Sequence, residues 1–160
     1  MNVTGEYILE CSKERTWRAL NDPQVLSRCT PGFQSMNVVA PDHYEGVVKV
    51  GIGSISGTYK GEMKLSDKVD QEKYTIIGEG AGPIGIMNVT GNIELQELDA
   101  LTTIVYSFEA RIGGAVKGLA QRGLIPIAKY LIKQFFGSLA EELAAEKIEN
   151  RSAHIPETST

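Results

Sequence analysis

Histidine and cysteine are scarce here, with two of each in 160 residues, beside a single tryptophan. Nucleophilic catalysis of the triad kind sets Ser, Cys or Thr against a positioned base, most often His. His43 follows the Pro41-Asp42 turn and is expected at the surface, and His154 stands near the C-terminus, so no triad is expected. Cys11 and Cys29 have neither metal-ligand spacing nor the density of a secreted disulfide framework, which implies free thiols in a reducing compartment. Cys29, just before Thr30-Pro31-Gly32, reads as a buried structural thiol. H-E-x-x-H and C-x-x-C are both missing, and no metal is expected. An excess of positive charge is missing too: Lys and Arg number 16 against 20 Asp and Glu, a net charge of −4. That balance argues against nucleic acid, whose phosphates demand a concentrated basic face. No run of about 18 apolar residues occurs, so no helix is expected to span a bilayer. Met1 to Glu10 alternates and carries Glu6 and Glu10, unlike a basic-then-apolar export signal. A cytoplasmic protein is the expectation.

The pattern that is present begins at the C-terminal side. From about Ala115 to Ile148, apolar residues recur at steps of three and four: Val116, Leu119, Ala120, Leu124, Ile127, Ala128, Leu131, Ile132, Phe135, Leu139 and Leu143. At 3.6 residues per turn these share one face of an α-helix. Such a helix is about 50 Å long, more than a small protein can leave without an apolar partner. Pro126 removes one backbone donor inside it and is expected to bend it.

Upstream, the period is mostly two. Val3, Gly5, Tyr7 and Leu9 alternate with polar residues in a first strand. Ser12 then caps one short helix, and Asp22-Pro23 starts another that Thr30-Pro31-Gly32 stops. From Phe33 to Ile112 alternation is continuous. It gives a hairpin around Pro41-Asp42, a strand over 53–66, and further strands over 73–80, 86–97 and 101–112. Short turns between them imply sequential antiparallel pairing. The expected fold is α+β: a curved antiparallel sheet of about seven strands, two short helices after strand 1, and the long C-terminal helix gripped by the sheet's apolar face. Residues 1–148 form one ligand-binding domain, and 149–160 a flexible polar tail.

Glycine is placed where core side chains are expected. Gly57, Gly61, Gly78, Gly80 and Gly91 fall on or near the helix-facing side of their strands. Glycine there permits curvature and close approach, and it also leaves room for an apolar cavity. Candidate lining from the sheet is Gly57, Tyr59, Gly61 and Met63, then Gly78, then Met87, Val89 and Gly91, then Tyr106 and Phe108. Leu124, Ile127, Leu131 and Phe135 face it from the helix. Gly78 to Gly85 lacks the strand, G-x-G-x-x-G and helix order of a phosphate loop, and is expected as a loop at the cavity mouth. Tyr59 offers a hydroxyl inside the cavity. Glu109 and Arg111 alternate with inward residues and should face water.

These features resemble the G-subunit family of molybdenum carbon monoxide dehydrogenase systems, within the helix-grip, START-like superfamily. The resemblance covers about residues 1–147 and is carried by four stretches. They are Leu20-Asn21-Asp22-Pro23 with Cys29-Thr30-Pro31-Gly32, Gly57-Thr58-Tyr59-Lys60-Gly61, Gly78-Glu79-Gly80, and Gly113-Gly114 leading to Phe135-Phe136. It implies a non-catalytic accessory protein without a cofactor, binding a hydrophobic ligand such as an isoprenoid quinone. It also implies a dehydrogenase partner and peripheral contact with the inner face of the membrane; the exposed segment with Asp22, Pro23 and Phe33 is the candidate partner-binding surface. Alternatives in other classes are a cyclase or hydrolase of an aromatic or polyketide substrate, with Tyr59 as its acting group, and a docking module without a ligand. Two departures stand out. Many relatives carry a longer membrane-seeking extension where this chain has the polar Ser152 to Thr160. Phe33 stands where they often have a second cysteine.

Overall fold

A computed structural model describes the backbone of residues 1–113 and 119–153, and within it the side chains of all but Ser54, 119–122 and 147–153. The polar tail beyond 153, His154 and Val116 lie outside the described residues, as do the side chains of Leu119 and Ala120. Seven strands, β1 (Asn2–Leu9), β2 (Phe33–Ala40), β3 (His43–Val50), β4 (Gly57–Val69), β5 (Lys73–Gly82), β6 (Gly85–Leu98) and β7 (Leu101–Gly113), form one curved antiparallel sheet. Its order is β1-β7-β6-β5-β4-β3-β2, so every neighbouring pair but β1 and β7 is consecutive in sequence. Helices α1 (Lys13–Leu20) and α2 (Pro23–Cys29) fill the connection from β1 to β2, and α3 (Leu119–Ala153) closes the fold.

Local chemistry explains the boundaries. The Ser12 Oγ accepts from the Arg15 amide at 3.2 Å, and the Asp22 carboxylate accepts from the Gln24 amide at 2.9 Å, with Pro23 in the first turn of α2. Each thereby satisfies one of the amides that a helix start leaves unpaired. Gly32 has φ +71°, and a Cβ there would stand 1.9 Å from the Lys49 carbonyl oxygen, so glycine is required where the chain turns into β2. Asp42, Gln71 and Asp99 take positive φ at the strand turns. Asp suits that region because its short side chain tolerates it.

Two local expectations give way. Gly53–Ile55 is a 3-10 turn and β4 begins at Gly57, so the strand starts later than alternation alone suggests. A two-period pattern continues through any extended-looking segment and cannot register a single tight turn. Gly78 to Gly85 is not a mouth loop. β5 runs through Gly82, β6 resumes at Gly85, and Pro83-Ile84 makes a two-residue hairpin turn. The helix also continues past Ile148 to Ala153.

The core sits at one end of the sheet. Leu9, Leu20, Cys29, Ile93, Leu95, Ile104, Leu139 and Leu143 are all buried in one cluster. The Phe136 ring stacks on Tyr7 at 5.5 Å and packs tilted against Tyr106 at 5.4 Å, and Phe135 meets its edge. Phe136, rather than Phe135, is therefore the fully buried ring of the helix. Arg15 donates to the Leu143 carbonyl at 2.9 Å, and Arg28 pairs with Glu142, tying α1 and α2 to the C-terminal half of α3. Buried leucines there contribute roughly 1.5–3 kcal/mol each by removal from water.

Candidate functional site

The N-terminal half of α3 plays a different part. There Leu124, Ile127, Ala128 and Leu131 form one wall of a cavity of about 410 Å³. The opposite wall is the concave face of the sheet: Tyr44, Val48 and Val50 of β3, Tyr59 and Met63 of β4, and Met87 and Val89 of β6. Met36 of β2, Met1 and Ile84 close the sides, and Ile55 of the 3-10 turn lies at the edge. Glu45, Lys60, Glu62 and Glu79 also border it, but they occupy the outward positions of their strands and are exposed. Their main chain, not their charge, faces the ligand space. The inner side chains are apolar apart from the two tyrosines and Thr30, whose hydroxyl donates to the Leu26 carbonyl at 2.6 Å.

The floor is glycine. Gly46 pairs with Gly61, and Gly61 with Gly80, so three glycines form one cross-strand row. Gly78 pairs with Met63 one step along. Their roles differ. A Cβ on Gly61 would stand 2.6 Å from the Glu79 carbonyl oxygen, which demands glycine there, and one on Gly46 would be tight at 3.1 Å from that of Ser35. Gly78 and Gly80 are in ordinary contact only, at 3.7 and 3.6 Å. Neither lies under a ring, and a Cβ at either position would fit without displacing a neighbour.

Several candidate residues therefore come together, namely Tyr59, Gly61, Met63, Gly78, Met87, Val89, Leu124, Ile127 and Leu131. Others lie elsewhere for physical reasons. Gly57 has φ +145° and sits under the Pro83 ring, whose Cγ is 2.4 Å from the Cβ it lacks. Gly91 lies under the Phe108 ring. Phe108 and Tyr106 pack on each other and toward Phe136, and Phe135 joins the same aromatic cluster. Gly91, Tyr106 and Phe108 share the concave face with the cavity, yet they fall at its core end. Residues that the strand pattern left unremarked are Gly46, Tyr44, Val48 and Val50 on β3, whose two-residue spacing was the available signal. Met1 and Met36 had none, because their place depends on the sheet curling.

Tyr59 is less free than expected. Its hydroxyl donates to the Ile55 carbonyl, and burial pushes its phenol above the ordinary value. His43 pairs with Glu62 at 2.9 Å on the outer face, and that hydrogen bond holds the Glu62 carboxyl below the usual range. Glu109 and Arg111 form an exposed pair on that side. Cys29 is fully buried, and desolvation pushes its thiol up to about 11, which makes it inert at neutral pH. Cys11 is buried and free as well. Among the described residues no group of three or more His, Cys, Asp or Glu is placed to hold a metal ion.

Asp22 and Pro23 border a shallow surface hollow with Trp17, Asn21 and Asp70, and Phe33 opens β2 on the far side of α2. Another hollow, about 450 Å³, lies over the outer side of the glycine row, lined by Ser35, Asn37, Glu45 and Lys60 among others. Its polar walls do not suit an apolar ligand.

A sheet curled around one long helix, with an apolar cavity between them, defines a helix-grip, START-like fold. The structure is similar to a START superfamily protein from Mycobacterium smegmatis, with a TM-score of 0.71 over 90% of this chain and 97% of that one at 11% identity. It is similar also to TTHA0849 from Thermus thermophilus, with a TM-score of 0.70 over 91% and 99% at 18% identity. A conserved protein from Geobacillus kaustophilus is nearer, 31% identical with a TM-score of 0.86 over 91% of this chain and 96% of that one. Among curated proteins, none matches significantly. The model of the CoxG family, the G subunit of carbon monoxide dehydrogenase, matches residues 5–144, and the chain belongs to that family.

Proposed function

We propose that the protein is a non-catalytic carrier that holds an isoprenoid quinone, or another long-chain lipid, between its sheet and the N-terminal half of α3. In this role it links a molybdenum CO dehydrogenase-type hydroxylase to the membrane quinone pool. The carrying observation is the cavity itself. About 410 Å³ with apolar inner side chains lies within the range of roughly 300–1,000 Å³ that small-molecule sites occupy. Each buried CH₂ of a ligand chain contributes about 0.8 kcal/mol there, with no polar constellation required. The cyclase or hydrolase alternative needs a cavity group free to act, and Tyr59 commits its hydroxyl to Ile55.

Asp22 and Pro23 at the start of α2, and Phe33 just past its end, are the proposed contact for the hydroxylase. Among the described residues no helix is long and apolar enough to cross a membrane, so the proposed membrane contact is peripheral, from the cytoplasmic side. Mass spectrometry of the purified protein, native and then after organic extraction, tests the carrier role. A quinone or lipid at near-equal stoichiometry supports it. An empty protein whose melting temperature is unmoved by added quinones and fatty acids overturns it in favour of a docking module, because any ligand that binds only the folded state must stabilise it.

A further inference from the structure

The hollow beside Asp22 is built by one stripe of α1 and by the turn between β4 and β5. Glu14, Trp17, Arg18 and Asn21 follow one another at steps of three and one along α1 and its C-cap, so they share a single helical face. Asp70 and Gln71 of the turn line the same hollow, and Asp22 and Pro23 close it where α2 begins. Main-chain hydrogen bonds hold these walls. The Glu72 amide donates to the Val69 carbonyl at 2.9 Å and the Leu95 amide to the Glu72 carbonyl at 2.8 Å, which fixes the turn carrying Asp70 to β6. The Asp22 amide donates to the Ala19 carbonyl at 3.2 Å, and the Leu26 amide to that of Asp22 at 3.0 Å, which fixes the junction of α1 and α2.

Two observations say what this hollow lacks. The first is charge: the carboxylates of Glu14, Asp22 and Asp70 line it against the single guanidinium of Arg18, which Glu14 already holds at 2.9 Å. Among the described residues neither Asp22 nor Asp70 forms an ion pair. Arg28 lies within reach of the Asp22 charge but is committed to Glu142. The second is a hydrogen bond. The Asn21 Nδ2 donates to the Trp17 carbonyl at 2.9 Å, which leaves Oδ1 an enclosed acceptor with no donor among the described residues. An enclosed acceptor is costly to leave unpaired, and the soft terminal torsion of an amide lets a small turn bring it to a donor seated in the hollow. Both observations call for a cationic donor. Trp17 adds a shape, because its half-buried indole meets Tyr74 edge-on at 5.5 Å and lines the hollow. A planar guanidinium stacks on an indole, gives up water more readily than an ammonium, and offers donors to several acceptors at once. Small-molecule sites enclose most of their ligand, whereas this hollow is shallow, so the group has to arrive on a larger body.

We infer that this hollow receives an arginine side chain of a partner protein, stacked on Trp17 and donating to Asp70, Asp22 and the Asn21 Oδ1. The inference rests on the reading of Asp22 and Pro23 as the hydroxylase contact, and it names the chemistry that the hydroxylase has to present there.

Trp17 is the only tryptophan of the chain, so its indole resonance reports on the hollow directly. The full chain is titrated with N-acetylargininamide and with its neutral isostere, N-acetylcitrullinamide. The arginine probe moves the Trp17 indole and Asn21 side-chain amide resonances along a saturable curve in the millimolar range, and the citrulline probe binds about fivefold more weakly. Asp70→Asn, a change in an exposed turn, weakens the arginine probe about threefold. Asp70→Lys lowers the affinity of the full chain for purified carbon monoxide dehydrogenase about tenfold, read by interferometry. Equal responses to the two probes, shifts away from Trp17 and Asn21, or an arginine response unchanged in Asp70→Asn overturn the arginine seat. If the arginine probe behaves as expected while Asp70→Lys leaves dehydrogenase binding intact, the seat stands and the hydroxylase reading of this surface falls.

Discussion

Leu139→Ala and Leu131→Ala, two identical truncations on one helix, should differ several-fold in their effect on stability. Leu139 is 0% exposed and packs in the core beside Phe136 and Leu143. Its loss combines a transfer term with an unfilled void, about 3 kcal/mol within the usual 2–5 for buried leucine. For a domain of this size each kcal/mol lowers the melting temperature by about 2–4 °C, so a fall of about 6–12 °C is expected. Leu131 is only half-buried and already borders open space. Its truncation enlarges an existing cavity, and the expected loss is below about 1 kcal/mol, or under ~4 °C. Urea titration followed by the fluorescence of Trp17, whose ring meets Tyr74 edge-on at 5.5 Å, reads both. In the presence of a bound lipid the order reverses: Leu131→Ala reduces the ligand-induced rise in melting temperature and Leu139→Ala does not. Equal losses for the two variants would refute the division of α3 into a core half and a cavity half.

Three further outcomes follow from the site. Gly91→Ala should destabilise by about 1–3 kcal/mol, since its Cβ meets the Phe108 ring, whereas Gly80→Ala should be near neutral in chemical denaturation. Tyr59→Phe should cost about 1 kcal/mol, from the unpaired Ile55 carbonyl, without altering ligand affinity in a fluorescence titration; a large affinity loss would return Tyr59 to an active role. Stability should fall with alkali: the unfolded Cys29 thiol ionises near its ordinary value of 9.0 and the folded thiol only near 11, so between these the folded state retains the extra proton and is disfavoured as pH rises. Cys29→Val should remove that portion of the slope, on the order of 2 kcal/mol by pH 11, in denaturation curves recorded from pH 8 upward.

Much of this architecture is legible in one dimension because it depends on period and on local chemistry. Alternation over β4, β6 and β7 assigns each side chain a face, and Ser12, Asp22-Pro23 and Gly32 mark boundaries through hydrogen bonds and φ values that hold wherever the chain goes. The apolar period of α3 shows that it needs a large partner, and the sheet offers a long apolar surface to it. The family resemblance rests on the same short stretches and covers nearly the same span as the family match.

Tertiary packing decided what each inner residue does. Gly57, Gly61, Gly78 and Gly91 are equivalent in the strand pattern, yet a Cβ on each would meet, in turn, a Pro83 ring, a Glu79 carbonyl, only ordinary contacts with Glu62 and Val89, and a Phe108 ring. Periodicity assigns a face but not a neighbour, because neighbours come from sheet register, curvature and the height at which α3 crosses. For the same reason Phe136 rather than Phe135 fills the core, and Met1 and Met36, distant in sequence from the other methionines, meet them in one cavity. The sequence by itself determined that a sheet closes on a helix with room between them. Only the folded sheet decided that the room lies at the N-terminal half of that helix, over Gly78 and Gly80, which no ring caps.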